Sequence, residues 1–528
     1  MMNHSKLIAF FAFFLFLFGC KDKQLKKEQT HKNPNIVFIL ADDLGYGDIT
    51  AFNKDSKIKT PQLDTMAQQG MIFTDAHTSS AVCTPTRYGI ITGRYNWRST
   101  LKEGVLLGAS KALIPNSRTT VASLLKEKGY NTAFIGKWHL GWDWALKNPG
   151  QEPTTGWQDT TFTNIDYTKP VKNTPNDLGF EYAYGHSGSL DMAPYVYVEN
   201  GMATEIPEES SVNTGKYSWW RKGPTSKDFV HEDVTPNFFR RGMTYIKESA
   251  NEENPFFLYL ALPSPHTPIL PSVEWQGKSG LNPYGDFMMM VDDYVGQLNA
   301  AIKKAGIEDN TLVIFTSDNG CSPAAKIEEL VEKGHNPSHV FRGHKADIFE
   351  GGHRVPFIVK WPEKVKAGSK NSQTICTTDF AATCAAIVGY ELKNDEAEDS
   401  YNILPLFEKG NWDGEFREAT VHHSINGSFA IRKGDWKLIL CPGSGGWSYP
   451  TPTDKDALKE LPKLQLYNLN DDPGETQNLQ SSNPQKVEEL KSLLTKYVQD
   501  GRSTPGETQK NDGDGNIWEQ LWWMQESD

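Results

Sequence analysis

The sequence predicts an α/β fold with a mostly parallel sheet, because short apolar runs alternate along the chain with helical patterns. The apolar runs are rich in β-branched and aromatic residues and lie at residues 35–40, 132–136, 256–261, 311–316 and 356–359. Runs of this length without polar alternation are typical of strands that are buried on both faces. Helical patterns lie between them, at residues 63–70, 121–129 and 286–306.

The composition is that of a globular protein with an acidic balance. The chain has 528 residues, of which 38% are hydrophobic and 23% charged, with 54 Lys and Arg against 66 Asp and Glu. At about 100–200 residues per domain, the length suggests roughly two to four domains, or one large domain with an appendage. The net charge of −12 argues against a nucleic-acid partner, since no basic excess exists to displace counterions from a phosphate backbone.

Residues 1–19 are predicted to be a secretory signal peptide that ends at a lipid attachment site. Residues 7–18 form an apolar run that as a helix would span about 18 Å, less than the roughly 30 Å of a bilayer core. The run ends in Leu17-Phe18-Gly19-Cys20, which resembles a bacterial lipobox. We expect Cys20 to become a lipid-carrying N-terminus on a polar tether (residues 20–33), which would anchor the exported protein in the bacterial cell envelope, in the periplasm or at the outer surface. The alternative is a plain signal peptide with an incidental cysteine.

Reactive side chains follow four of the five predicted strands. In open α/β sheets, ligands bind at the carboxyl ends of the strands. One charged residue after a strand is usually part of a solvated loop, but four such clusters at one edge indicate a site. The residues are Asp42 and Asp43 after the first strand, Lys137 and His139 after the second, His266 after the third, and Asp318 and Asn319 after the fourth.

The acidic part of this set predicts a metal site. Asp42, Asp43 and Asp318 would repel one another if the first and fourth strands are neighbours, so they require a counter-charge. Oxygen-only ligands select a hard cation, and the neutral Asn319 favours Ca²⁺ over Mg²⁺. Zinc is disfavoured because no Cys/His cluster has suitable spacing. The alternative is that both pairs cap helices or turns, since Asp-Asn-Gly alone is a common turn sequence.

The segment Cys83-Thr84-Pro85-Thr86-Arg87 predicts a helix that begins beside a reactive residue. Thr84 is expected to be the N-cap and Pro85 the first helical residue, so Cys83 lies where a helix favours negative charge. One interpretation is a thiolate nucleophile. The Cys-x5-Arg loop of Cys-dependent phosphatases does not fit, because residue 89 is glycine. A buried structural cysteine would leave Pro85 and Arg87 unexplained.

These motifs together resemble the formylglycine-dependent type I sulfatases, in particular arylsulfatase-A-like bacterial polysaccharide sulfatases. The Cys-Thr-Pro-Thr-Arg segment continues to Thr92-Gly93-Arg94, as in the Cys-x-Pro-x-Arg…Thr-Gly-Arg signature of that family. Residues 35–48, 136–141, 317–320 and 343–356 are similar to further family segments, in family order over roughly residues 34–480. The resemblance implies an alkaline-phosphatase-like α/β domain whose mostly parallel sheet is flanked by helices, with a smaller C-terminal antiparallel-sheet domain.

The resemblance also implies a role for each residue of the predicted site. Cys83 would be oxidised by a formylglycine-generating maturation enzyme, and the hydrated aldehyde would attack sulfur. Cationic side chains would match the charge on the sulfate oxygens. One histidine would protonate the leaving alkoxide and another would deprotonate the second hydroxyl of the hydrate. The implied cations are Arg87, Lys137 and Lys345, the acid is His266 supported by Lys345, the base is His139, and the ligands of Ca²⁺ (less readily Mg²⁺) are Asp42, Asp43, Asp318, Asn319 and the modified Cys83.

Two aromatic segments predict a carbohydrate pocket. The long segment 141–179 carries Trp142, Trp144 and Trp157 and is expected to line the pocket. The segment 219–222, Trp-Trp-Arg-Lys, offers local cations for an anionic sugar, with a packed hydrophobic patch as the alternative. We therefore expect a sulfatase of sulfated oligo- or polysaccharides, with algal ulvan, carrageenan or fucoidan as the expected polymers and host glycosaminoglycans as a further candidate.

A smaller domain is predicted over residues 416–528, after a catalytic domain over residues 34–415. Residues 428–432 and 435–440 form an expected hairpin, 464–469 a further strand, and 484–498 an amphipathic helix. The acidic stretch 512–516 does not fit an EF-hand, because the sixth and twelfth positions are Ile517 and Trp523. Four cysteines allow three disulfide pairings, none of them preferred. They are Cys321, Cys376, Cys384 and Cys441.

Two other functions stay open on the sequence alone. A phosphomonoester, phosphodiester or phosphonate hydrolase of the same superfamily would act on an anion of similar size and geometry. A non-catalytic glycan-binding lipoprotein would keep the fold without the reaction. The formylglycine motif beside a single oxygen-rich metal site favours the sulfatase over the first, and the full catalytic set favours it over the second.

Overall fold

The computed structural model describes residues 33–151, 164–410, 412–513 and 518–525. The predicted signal peptide, Cys20, the tether up to residue 32, Trp157 and residues 514–517 lie outside the described residues. None of the helices within these ranges has both the length and the apolar character needed to cross a bilayer.

Strands and helices alternate through most of the chain. The strands are β1 (Asn35–Ala41), β2 (Met71–Phe73), β3 (Ala76–His77), β4 (Asn131–Lys137), β5 (Tyr182–His186), β6 (Val198–Glu199), β7 (Met202–Ala203), β8 (Glu209–Asn213), β9 (Trp220–Thr225), β10 (Phe256–Ala261), β11 (Thr311–Ser317), β12 (Phe357–Lys360), β13 (Ser369–Asn371), β14 (Ile375–Cys376), β15 (Thr420–His423), β16 (Phe429–Lys433), β17 (Trp436–Ile439) and β18 (Gln465–Asn468). The helices are α1 (Pro61–Gln69), α2 (Cys83–Thr92), α3 (Val121–Glu127), α4 (Val234–Ser249), α5 (Pro283–Lys304), α6 (Ile327–Glu332), α7 (Glu350–His353), α8 (Phe380–Val388), α9 (Leu404–Lys409), α10 (Lys455–Lys459), α11 (Pro484–Asp500) and α12 (Trp522–Gln525).

A large mixed sheet forms the main body, in the order β13-β2-β12-β11-β1-β10-β4-β5-β6-β7. The strands β11, β1, β10, β4 and β5 are parallel, and antiparallel pairs occur toward both edges. Every residue of β1 after Asn35 is buried, because the strand pairs with β10 on one side and β11 on the other. The predicted α/β fold is confirmed, and the five predicted strands are β1, β4, β10, β11 and β12.

The C-terminal region forms a small antiparallel sheet in the order β15-β16-β17-β18. The predicted hairpin is β16 and β17, the further strand is β18, and the predicted helix is α11, which extends to Asp500. α11 contacts β16 and buries Leu490, Leu494 and Val498 in the core that the small sheet shares with it. The smaller antiparallel sheet is thus confirmed. Cys321, Cys376, Cys384 and Cys441 are buried free thiols, so no pairing forms among them.

An ion pair connects the small sheet with the large one. Asp75, which follows β2, accepts hydrogen bonds from both Nη atoms of Arg432 on β16, at 2.8 Å each. Arg354 Nη2 lies 2.9 Å from Asp75 Oδ1. Burial by itself raises the pKa of Asp75, but Arg432 and Arg354 bring it well below its ordinary value. The carboxylate is therefore ionised and depends on both guanidinium groups.

Substitution Arg432→Met is expected to lower the free energy of unfolding by about 3–5 kcal/mol, because it leaves the buried Asp75 carboxylate without its bidentate partner. Thermal or urea denaturation measures this loss. The matched control is Lys433→Met on the same strand, because Lys433 pairs with the partly exposed Glu489 at 3.2 Å. The control should lose less than about 1 kcal/mol. Equal losses in both variants would contradict the role given to the pair.

Candidate active site

Cys83 is the first residue of α2 and lines a cavity of about 300 Å³. The N-cap is Val82, so the prediction that Thr84 is the cap is wrong. Thr84 Oγ1 instead donates a hydrogen bond to the His139 carbonyl at 2.9 Å, which ties the start of α2 to the segment after β4. Burial raises the pKa of the Cys83 thiol to about 12, because desolvation outweighs the nearby lysine charges. The unmodified thiol is therefore neutral, which disfavours the thiolate interpretation.

The pairing of β1 with β11 brings the predicted metal ligands together. These strands are parallel and paired through their last residues, so Asp42 and Asp318 leave the sheet side by side. The Asp43 amide donates to Asp318 Oδ1 at 3.2 Å, and Asn319 Nδ2 donates to Asp43 Oδ1 at 2.7 Å. Asp43 has a φ of 66°, in the left-handed region that few non-glycine residues adopt. Ligand atoms of Asp42, Asp43, Cys83 and His266 lie within 4.8 Å of one another.

Three buried cations compensate the carboxylates of this cluster. Every carboxylate has at least one cationic partner, and Arg87 bridges two of them, because its Nη2 also lies 3.3 Å from Asp42 Oδ2. Lys345 lines the cavity, whereas Arg87 and Lys137 are not among its lining residues and are fully buried. The pairs are Arg87 Nη2 with Asp318 Oδ2 at 2.8 Å, Lys345 Nζ with Asp43 Oδ1 at 2.7 Å, and Lys137 Nζ with Asp42 Oδ2.

The cluster has the unsatisfied oxygens that a metal ion requires. Among the described residues, nothing donates a hydrogen bond to the buried atoms Asp42 Oδ1 and Asn319 Oδ1. Burial and the neighbouring Asp42 carboxylate raise the pKa of Asp318, whereas Arg87 and Lys137 lower it. A divalent cation with oxygen ligands would satisfy the free oxygens and favour the ionised form of the carboxylates. Asp42, Asp43, Asp318 and Asn319, with residue 83 beside them, therefore fit the predicted metal.

The two predicted histidines each have one ring nitrogen engaged with the backbone. His139 Nε2 donates to the Leu106 carbonyl at 2.7 Å, and Nδ1 is buried with no partner in the described part of the chain. Burial lowers the pKa of His139 well below its ordinary value, so the ring is neutral and Nδ1 carries a free lone pair. His266 Nδ1 donates to the Thr267 carbonyl at 2.6 Å, and Nε2 lies 3.6 Å from Asp43 Oδ2. Burial and Lys345 lower the pKa of His266, whereas the Asp43 carboxylate raises it.

The cavity is enclosed by connecting segments of the main body and of the C-terminal region. Trp219 and Arg221 line it, as the aromatic and basic segment 219–222 predicts, while Trp220 stacks on His231 with centroids 3.9 Å apart. Sequence reasoning missed Ser189, Asp191 and Trp447 as lining residues. Ser189 and Asp191 follow β5, so the strand-end rule would have found them had β5 been recognised. No comparable signal marks Trp447, which lies in a long connection of the C-terminal region.

The prediction that segment 141–179 lines the pocket is wrong for the residues that the structure describes. None of them is a lining residue of the cavity at Cys83. Trp142 and Trp144 are buried and in edge-to-face contact, with centroids 5.6 Å apart, and Trp144 Nε1 donates to the Gly108 carbonyl at 3.1 Å. These rings belong to the core, where the burial of their large apolar surface stabilises the fold.

A second group of ligand-type side chains lies between the two sheets. His77, His353 and His422 bring ring nitrogens within 4.8 Å of one another, and His353 stacks on His422 with centroids 3.9 Å apart. Each ring nitrogen already has a protein partner, so the group is a structural network. The pairs are His77 Nδ1 with His353 Nδ1, His77 Nε2 with Asp75, His353 Nε2 with Lys437 Nζ, and His422 with Thr78 O and Thr420 Oγ1.

Two family models match the chain. The model described as Sulfatase matches residues 34–390, a range that holds the cluster at Cys83, both histidines and Lys345. The model described as N-sulphoglucosamine sulphohydrolase, C-terminal, matches residues 343–449, which include Trp447.

Individual proteins are similar over nearly the whole chain. The N-acetylgalactosamine-6-O-sulfatase of Bacteroides thetaiotaomicron is 32% identical in an alignment of 541 positions, gaps included, that covers 94% of this chain and 99% of that protein. A solved structure described under the metabolism of multiple glycosaminoglycans by Bacteroides thetaiotaomicron has a TM-score of 0.74 and 31% identity. The match covers 88% of this chain and 99% of that one. The structure of Ps i-CgsB in complex with k-i-k-neocarrahexaose has a TM-score of 0.67 and 25% identity. This match covers 90% of this chain and 95% of that one.

Adding Ca²⁺ to metal-stripped protein is expected to raise the thermal midpoint, because a cation on the free oxygens stabilises the folded state by about 2.7 kcal/mol at 100 times its Kd. Asn319→Ala should reduce this shift, since it removes one of the two free oxygens. The matched control is Asn299→Ala, because Asn299 Oδ1 on α5 is also buried and unpartnered within the described chain. A full shift in Asn319→Ala would contradict the assignment.

Proposed function

This chain belongs to the sulfatase family of sulfuric ester hydrolases, and we propose that it removes sulfate from a sulfated carbohydrate with a formylglycine made from Cys83. The observation that carries the proposal is the position of Cys83, at the start of α2, lining a cavity, and next to an oxygen-rich cluster. Cys83 also begins the Cys-Thr-Pro-Thr-Arg segment, which resembles the signature of formylglycine-dependent sulfatases. A maturation enzyme that also supplies the oxidant would convert the thiol into an aldehyde.

In the proposed reaction, a hydroxyl of the aldehyde hydrate at position 83 attacks the sulfur of the ester. The metal expected between the carboxylates is Ca²⁺, with Mg²⁺ as the less suitable ion, because all of the candidate ligands are oxygens and one is a neutral amide. When bound, such an ion supplies positive charge that lowers the pKa of oxygens in contact with it.

The cations divide into two roles in this proposal. Lys345 lines the cavity and would contact the sulfate oxygens directly. Arg87 and Lys137 lie deeper and hold Asp318 and Asp42 in place, so they would act through the positions of these carboxylates.

The two histidines would move protons on opposite sides of the reaction. His266 would act in its imidazolium form and give its Nε2 proton to the leaving alkoxide, since its Nδ1 hydrogen is committed to the Thr267 carbonyl. Asp43, whose Oδ2 lies 3.6 Å from Nε2, favours that charged form and opposes the effect of burial on the pKa. His139 would take the proton from the second hydroxyl of the hydrate at Nδ1. Its Nε2 hydrogen bond to the Leu106 carbonyl leaves Nδ1 as the basic atom. Removing that proton expels sulfate and restores the aldehyde.

Two carbohydrate classes are supported to different degrees. The relative named N-acetylgalactosamine-6-O-sulfatase is 32% identical over nearly the whole chain, which favours a 6-sulfated N-acetylgalactosamine as the first substrate to test. The structure bound to k-i-k-neocarrahexaose, at 25% identity, keeps an algal polysaccharide of carrageenan type as the second. Ulvan and fucoidan oligosaccharides, the other algal substrates expected from the sequence, complete the set of sugars to test.

Substitution Cys83→Ala is expected to abolish sulfate release from every sulfated sugar that the matured protein cleaves, because no aldehyde can form. Ion chromatography of released sulfate measures this over N-acetylgalactosamine 6-sulfate and carrageenan, ulvan and fucoidan oligosaccharides. Mass spectrometry of the peptide containing residue 83 should show an aldehyde in the parent protein. Cys384→Ala, on α8, is the control and should keep both properties. Full activity of Cys83→Ala would refute the proposed nucleophile.

The proposed location is the bacterial cell envelope, through a lipid on Cys20. The support is the apolar run of residues 7–18 that ends at this cysteine, followed by polar residues. Cys20→Ala is therefore expected to change the processing of the N-terminus in cells that express the full chain, which the mass of the matured protein measures. Unchanged maturation of the Cys20→Ala variant would refute the lipid anchor.

A further inference from the structure

Asp191 is a buried carboxylate in the wall of the cavity with one oxygen that the protein does not use. It is 3% exposed and lines the same cavity as Cys83. Oδ2 accepts a hydrogen bond from Arg221 Nη1, which also donates to the Asp191 main-chain carbonyl at 3.0 Å. Within the described residues, Oδ1 is buried and has no hydrogen-bond partner. Leaving a buried acceptor of this kind unsatisfied is unfavourable, so the site is incomplete without a donor.

The surroundings of Asp191 match the uncharged part of a sugar. Ser189 lines the same cavity, and its Oγ is buried and likewise lacks a partner within the described chain. The Trp219 ring, 5.1 Å from the Arg221 guanidinium, also lines the cavity and offers an apolar face. Two free polar atoms beside an aromatic face are the groups that a sugar ring requires, since it presents hydroxyls at its edge and C–H groups on its faces.

A carboxylate excludes the anionic part of the substrate. It accepts hydrogen bonds and cannot donate them, and sulfate oxygens are also acceptors only. The sulfate group is therefore expected near Lys345, which lines the same cavity and whose Nζ lies 5.9 Å from the Trp447 ring centroid. Asp191 is left for a neutral donor, which a sugar supplies as a hydroxyl or as the N–H of an acetamido group.

We infer that Asp191, oriented by Arg221, accepts a hydrogen bond from one hydroxyl or amide N–H of the sugar that carries the sulfate ester, and so selects the sugar. The inference rests on the proposed function and names the recognition group within that same site. A site built to bind a specific donor discriminates against analogues that lack it, because its own acceptor then stays unpaired. For a charged acceptor the expected discrimination is roughly 10- to 100-fold in kcat/KM.

The test compares the parent protein with Asp191→Asn, each measured on the complete sugar and on analogues that lack one hydrogen-bond donor. Arg221 donates to one side of residue 191, so the asparagine oxygen should face Arg221 and its NH₂ group should face the cavity, where it cannot accept. The substrates are N-acetylgalactosamine 6-sulfate, or the best substrate of the panel above, its mono-deoxy analogues, and the analogue without the acetamido group. The parent protein should lose roughly 10- to 100-fold in kcat/KM on one of these analogues.

Asp191→Asn should lose a similar factor on the complete sugar, yet cleave that one analogue about as fast as the parent protein does. If Asp191 only stabilised the fold, Asp191→Asn would cleave both the complete sugar and this analogue more slowly than the parent protein does. The analogue on which the parent protein loses activity identifies the group that binds Asp191 as a hydroxyl or as the acetamido N–H. The control is Asp233→Asn, an exposed carboxylate paired with Arg240 at 2.6 Å, which should keep the parent profile. Equal rates on all analogues, or unchanged discrimination in Asp191→Asn, would overturn the inference. No sulfate release from any sugar by the parent protein would instead overturn the proposed function.

Discussion

The structure depends on carboxylates that are forced together at one edge of a parallel sheet. The pairing of β1 with β11 places Asp42 and Asp318 side by side in a buried position, where their charges would repel. Three cations from separate parts of the chain offset this repulsion. They are Arg87 on α2, Lys137 at the end of β4, and Lys345 in the segment before α7. The same contacts therefore hold α2 and its Cys83 against the sheet and create the place for a metal ion.

The cavity has a charged region and a neutral region, and each matches one part of a sulfated sugar. Lys345, together with the cation expected in the cluster next to Cys83, suits an anion, whereas Trp219, Ser189 and the Arg221-bound Asp191 suit hydroxyls and a sugar face. The C-terminal region contributes Trp447 to this enclosure, so the small sheet has a part in the site as well as in stability. The buried ion pair between Asp75 and Arg432, together with the histidine network, keeps the two sheets in place.

The sequence was sufficient to predict a strand and the site residues at its end where one local pattern determines both. Apolar runs that end in polar residues predicted β1, β4, β10 and β11, and in this fold the ends of parallel strands meet. It was insufficient where a side chain contacts residues that are distant in sequence, or where a strand lacks a continuous apolar run. β5, with the sequence Tyr-Ala-Tyr-Gly-His, lacks a continuous apolar run, so the segment with Asp191 was not connected with a strand end. Trp142 and Trp144 have the composition of a binding surface, yet tertiary packing buries them. Val82 and not Thr84 is the N-cap, and the Thr84 hydroxyl instead donates a hydrogen bond to the carbonyl of His139, which is distant in sequence.

We propose that residue 83, as an aldehyde hydrate, lies against a divalent cation bound by buried oxygens. A crystal structure of fully matured protein, grown with Ca²⁺, would show this arrangement. We expect a cation at about 2.3–2.6 Å from Asp42 Oδ1 and Asn319 Oδ1, with an oxygen of residue 83 as a further ligand. An unmodified thiol at position 83 in active protein, or a cation bound away from these two oxygens, would contradict it.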